Sequence, residues 1–146
     1  MTENQEQLDA RLRLVDEHLR AENDHDLDAI MATFGQDPKF QLNAIPLNDR
    51  ESIRAMYGGF GFGGGGGSFS DVKATETARH VADGSVVVEL TLGGKHTGEF
   101  QGIPATNRTF EIPVCAIFDF DGDGTLAGER VYFDGALMLQ QLGILA

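Results

Sequence analysis

The sequence predicts an α+β domain, and three observations carry that reading. Apolar residues recur at spacings of three and four over the first part of the chain, as on one face of a helix. After residue 68 the pattern changes to strand-like alternation broken by turn signals. Between the two lies a stretch from Gly58 to Gly67 that is almost entirely glycine. Helices first and strands later argue for α+β rather than for alternating βαβ units.

In chain order, Leu8, Leu12, Val15 and Leu19 form one stripe of an amphipathic helix starting at Gln7, with Arg11, Arg13, Glu17 and Arg20 on its solvated faces. The polar cluster from Asn23 to Asp26 ends it and caps a shorter helix carrying Leu27, Ile30, Met31 and Phe34, stopped by Gly35 and Pro38. Lys39 to Ile45 reads as a short strand. Asp49 then caps a third helix with Ile53, Met56 and Tyr57. From Gly58 to Gly67 no regular element is expected, because ordering each glycine is entropically costly, and the segment reads as a flexible loop. Strands follow at Phe69–Val81, Val86–Leu92, Thr109–Phe120 and Leu126–Phe133, with turns at Asp83-Gly84, Gly93-Gly94 and Asp121-Gly-Asp-Gly124. Leu137, Leu139, Leu142 and Ile144 close the chain as a helical turn or two.

With 146 residues the chain has the length of one domain, 1–146, large enough for a sizeable core. Its 23 acidic and 11 basic residues give a formal charge of −12, which excludes nucleic-acid binding through phosphate neutralisation and docking on an anionic membrane. The single cysteine, Cys115, cannot form an intramolecular disulfide and reads as a small hydrophobe in an apolar strand. A polar start and the absence of any run near the ~20 apolar residues of a membrane span predict a cytoplasmic protein.

Few motifs point to chemistry. Asp119, Asp121 and Asp123 with a glycine match the first half of a calcium loop, but Arg130 stands where the closing glutamate belongs, so a solvent-facing hairpin turn is expected. The G-x-G-x-x-G from Gly61 to Gly66 follows a helix rather than a strand, which argues against nucleotide binding. None of His18, His25, His80 and His96 forms a histidine pair at metal-ligand spacing, and no metal site is expected. His18 and His25 fall on or beside polar helix faces, whereas His96 sits in a Gly-Gly-Lys-His-Thr-Gly turn, where it either holds a bend or acts chemically. Asp134 ends the last strand. It reads either as an N-cap or as a carboxylate at the pocket end of the sheet, on one face with Arg130 and Tyr132.

The run Gly98-Glu-Phe-Gln-Gly-Ile-Pro-Ala-Thr106, the ending Phe133-Asp134 with Leu139-Gln-Gln-Leu-Gly143, and the order of elements resemble the SnoaL-like polyketide cyclase/ester cyclase family of the nuclear-transport-factor-two-like superfamily. The resemblance implies a cone of strongly curved antiparallel sheet closed by the N-terminal helices, a homodimer paired through the sheet, and an active site without cofactor. It also implies that Asp134 is the acid/base of an intramolecular aldol closure; Tyr132, Asn43 and His96 are the candidates in this sequence for a polar partner. Phe34, Phe40, Met56, Tyr57 and Phe118 are the expected walls around a small apolar substrate. The family's histidine on the penultimate strand is missing from Val114-Cys-Ala-Ile-Phe-Asp119. A limonene-epoxide-hydrolase type of site is the other enzymatic reading, although no Arg-x-Asp precedes the last strand and Glu89 and Glu111 are its strand-centre acids. A non-catalytic binding module is the third.

Overall fold

The computed structural model describes residues 4–146. Helix α1 (Gln5–Asn23) opens with a capping box, in which Asn4 and Gln7 satisfy each other's backbone N–H groups. Its buried residues are Val15, His18, Ala21 and Glu22, so the inward stripe is rotated toward two polar side chains. Helix α2 (Leu27–Ala32) starts at the Asp26 cap, and α3 (Arg50–Phe60) at the Asp49 cap. No helix among the described residues is long and apolar enough to cross a membrane.

Six strands form one sheet: β1 (Phe34–Leu42), β2 (Ile45–Leu47), β3 (Phe69–Ala82), β4 (Ser85–His96), β5 (Thr109–Phe120) and β6 (Leu126–Phe133). Their order is β2-β1-β6-β5-β4-β3. Every neighbouring pair is antiparallel except β1 and β6, which run parallel, so the expected antiparallel sheet is a mixed one. The helical segment before β1 and the long excursion through β3–β5 bring the first and last long strands together in the same direction. Register shifts in β1 and twice in β3 bend the strands around the helices. At the first β3 shift Asp71 adopts φ 54°. The result is the expected α+β cone.

Two side chains at the α1–α2 junction fasten the helices to the free edge of β3. Asn23 donates from Nδ2 to Ala74 O and accepts from Ala74 N–H, both at 2.8 Å. His25 donates from Nε2 to Val72 O at 2.7 Å. Edge groups that would otherwise lack partners are thereby satisfied, and the depth of α1 is set. At the other end Gln141 of α4 (Gly135–Gln141) accepts from the Glu111 N–H (2.7 Å) and donates to its carbonyl (3.0 Å), beyond the point where β6 stops pairing with β5.

Two departures from the expected elements concern glycines. Gly93 and Gly94 do not turn the chain but continue β4 to His96, and a Cβ on Gly94 would stand 3.1 Å from the Phe110 ring. The Gly58–Gly67 stretch begins as the last turn of α3 and then folds back on itself. Ser68 N–H donates to Gly59 O at 2.8 Å, and a Cβ on Gly67 would lie 2.8 Å from Gly61 Cα. Phe62 is buried within it. The glycines allow backbone to touch backbone, a role that composition alone does not distinguish from a loose loop.

Candidate active site

The concave side of the sheet and the helices enclose a cavity of about 320 Å³. Strand periodicity decides which β6 residues reach it. Glu129, Val131 and Phe133 line the cavity, while Arg130, Tyr132 and Asp134 alternate to the outside. Glu129 stands in register with Phe40 of β1 and Phe118 of β5, on the inner face of the sheet.

Five polar side chains converge at one corner of this apolar enclosure. His18 and Glu22, four residues apart, project from one face of α1. Thr33 comes from the end of α2, Tyr57 from α3 and Glu129 from β6, and all five are buried. His18 Nε2 lies 3.1 Å from Glu22 Oε1, 3.2 Å from the Tyr57 hydroxyl and 3.3 Å from Glu129 Oε1. Tyr57 donates to Glu129 Oε1 at 2.7 Å. On the other side of the ring, Nδ1 is 2.8 Å from Thr33 Oγ1. Since Thr33 gives its own hydrogen to Ile30 O at 2.7 Å, it can only accept from His18, so Nδ1 carries a proton. The edges of Phe34 and Phe118 hold the ring in place, with centroids at 5.4 and 5.1 Å.

Charge follows from this arrangement. Burial alone would push the His18 imidazolium toward neutrality, but the charge and hydrogen bond of Glu129, and then those of Glu22, outweigh it and raise its pKa to about 10. Burial raises the Glu22 carboxyl, opposed by His18 and reinforced by the Glu129 charge. Burial and the two carboxylates lift Tyr57 well above the ordinary phenol value, which keeps its hydroxyl a donor. The cluster is thus an imidazolium between two carboxyl groups, with a phenol donating to one of them. Glu22, Tyr57 and Glu129 line the cavity, and His18 and Thr33 stand behind them. Ligand-type atoms of His18, Glu22 and Glu129 lie within 4.8 Å of one another, a spacing open to a divalent cation. With protons on the ring the same atoms satisfy each other.

The residues singled out from sequence fall in several places. Phe40, Met56 and Tyr57 line the cavity. Phe34 and Phe118 do not, because they pack behind it on His18. Asn43, at φ 51°, uses Oδ1 to accept the Phe133 N–H at 3.0 Å and so pins β1 to β6 instead of facing the cavity. Asp134 is an exposed N-cap of α4 that accepts from Leu137 N–H at 3.0 Å. Tyr132 is 39% exposed on the outer face. His96 is fully buried at the end of β4, where Nδ1 accepts from Thr106 N–H at 3.2 Å, and it does not line the cavity. The three residues expected to be catalytic are therefore separated from the cavity. Glu89 pairs with His80 in the open, and Glu111 is exposed.

His18, expected on or beside a polar helix face, is fully buried, and sequence does not single out Glu22, Thr33 or Glu129. Signals for three of them existed: Val15, His18 and Glu22 share one helical face, and Glu129 shares strand parity with Val131 and Phe133. Asp119 is bonded to Arg130 (2.8 Å), and Asp123 accepts from Thr125 N–H at 2.9 Å, as a hairpin turn requires.

Comparison with known proteins agrees with this architecture. The fold matches TsrD from Streptomyces laurentii with a TM-score of 0.79 at 22% identity, over 99% of this chain and 100% of that one. It matches a proposed polyketide cyclase from Xanthomonas campestris at 0.80 and 20% identity, over 92% and 97% of the two chains. A proposed polyketide cyclase from Streptomyces antibioticus, IdmH, aligns at 0.73 and 24%, over 91% and 98%. No curated protein matches the chain. The profile of the SnoaL-like polyketide cyclases matches residues 12–142, nearly the whole chain, and the protein belongs to that family.

Proposed function

We propose that the protein is a small cofactor-independent enzyme that moves a proton alpha to the carbonyl of an apolar substrate, for ring closure or isomerisation, with Glu129 as the base. The observation that carries this reading is the position of Glu129: a buried carboxylate lining an otherwise apolar cavity, hydrogen-bonded by Tyr57 at 2.7 Å. A carboxylate lining the cavity is placed to take the proton alpha to a bound carbonyl, and a positioned phenol can turn from it to the enolate oxygen as charge develops there. His18 does not line the cavity; it acts as a positioning residue that holds the Glu129 charge in place. Asp134, the aspartate that the family resemblance implied, becomes a helix cap.

The test is deuterium uptake alpha to the carbonyl across a panel of apolar ketones in D₂O, followed by proton NMR. Glu129→Gln is expected to lower exchange at least ~10²-fold and Tyr57→Phe to lower it less, while Asp134→Asn keeps both cap and activity. Exchange lost in Asp134→Asn, or retained in a folded Glu129→Gln, contradicts the assignment.

A further inference from the structure

The cavity lining has a charge asymmetry that limits what it admits. Among the described residues no Lys, Arg or His side chain lines it, and its two ionisable carboxyl groups are Glu22 and Glu129. Beside them runs a chain of rings: Phe40 meets Tyr57 edge-on at 5.7 Å, Tyr57 meets Phe62 at 5.6 Å, and Phe62 stacks on Phe60 at 5.6 Å. All four line the cavity. His18 meets both carboxyl groups, and Tyr57 meets Glu129, through their Oε1 atoms.

Resting on the reading of this cavity as the substrate site, we propose that its otherwise apolar ligand carries an amine, bound as the ammonium ion by Glu22 and the neighbouring rings. An imidazolium balances one carboxylate, and the second is left in apolar surroundings, where burial favours its protonated form. A ligand ammonium replaces that proton: the protonated amine enters, the Glu22 carboxyl becomes carboxylate, and one proton leaves to solvent. The ring faces add cation–π attraction, which strengthens where water is excluded. The −12 charge of the whole chain enriches cations near its surface, while an anionic ligand would meet the two acidic side chains with no basic side chain in the lining.

Three probes of similar shape decide the matter in the unmodified protein: naphthylmethyl-dimethylamine, naphthylmethanol and naphthylacetate, by isothermal titration at pH 7 in two buffers of different ionisation heat. The amine is expected to bind roughly tenfold tighter than the alcohol, with proton release, and the acetate most weakly. In Glu22→Gln the advantage of the amine and the proton release both disappear while the alcohol still binds. Alcohol or acetate binding as tightly as the amine overturns the proposal, whatever the variant does. Binding is read without turnover, so amine preference without deuterium exchange removes the chemistry and keeps the ligand class. Exchange without amine preference does the reverse.

Discussion

The hydrogen of the Thr33 hydroxyl goes to the Ile30 carbonyl, and the protonation of the His18 Nδ1 follows from that one bond. Thr33→Val keeps the shape and removes the acceptor, stranding a buried N–H. Stability should fall by about 1–3 kcal/mol in urea unfolding, and Thr33→Ser should restore most of it. At this scale the sequence was legible unevenly. Asp134 is conspicuous because it follows Phe133 at a strand end, yet its rotation around the strand puts it outside. Glu129 is inconspicuous beside Arg130, yet it faces in. One position of strand parity separates the two, and parity can be read only when apolar neighbours such as Val131 and Phe133 are taken as the reference. Thr33 left no such signal, because its role depends on where α2 ends against α1.

Among the elements, the helices and most strands were readable because each has its own periodicity and caps, as the Asp26 and Asp49 caps illustrate. The parallel β1–β6 pairing was not, since it depends on which edges meet after five intervening elements. The glycine segment is ambiguous for a different reason: glycine serves looseness and close contact equally. Substitution separates these roles. At Gly61, φ is 143° and a Cβ would stand 2.2 Å from Phe69 O, whereas at Gly59, in the last turn of α3, a Cβ meets nothing within 4 Å. Gly61→Ala should destabilise by several kcal/mol, as overpacking and backbone strain combine. Gly59→Ala should be neutral or stabilise by up to about 1 kcal/mol, and thermal unfolding of the pair gives the contrast.

For the whole molecule, the buried cluster ties folding to pH. The folded pKa of His18, about 10, lies above its unfolded value of 6.5, so its contribution is fully present below about 6.5 and is lost as pH rises through 10. Glu22 acts in the same direction from its own raised pKa. Asp119 opposes: burial raises its carboxyl, but bonds from Arg130 and Ser85 prevail, and the stability it adds above its unfolded pKa is lost in acid. The cone is thus weakened toward alkaline pH by its site and toward acid by its surface pairs. A cavity floored by charge costs stability relative to an apolar core, and that cost is consistent with a site kept for binding and chemistry.

The central claim is that an imidazolium lies buried between two carboxyl groups at this cavity. Nitrogen-15 NMR of the histidine rings, with His18→Gln to assign the signal, measures it directly. Both His18 nitrogens are expected to be protonated at pH 7 and to titrate near 10. A His18 ring already neutral at pH 7 would contradict the account.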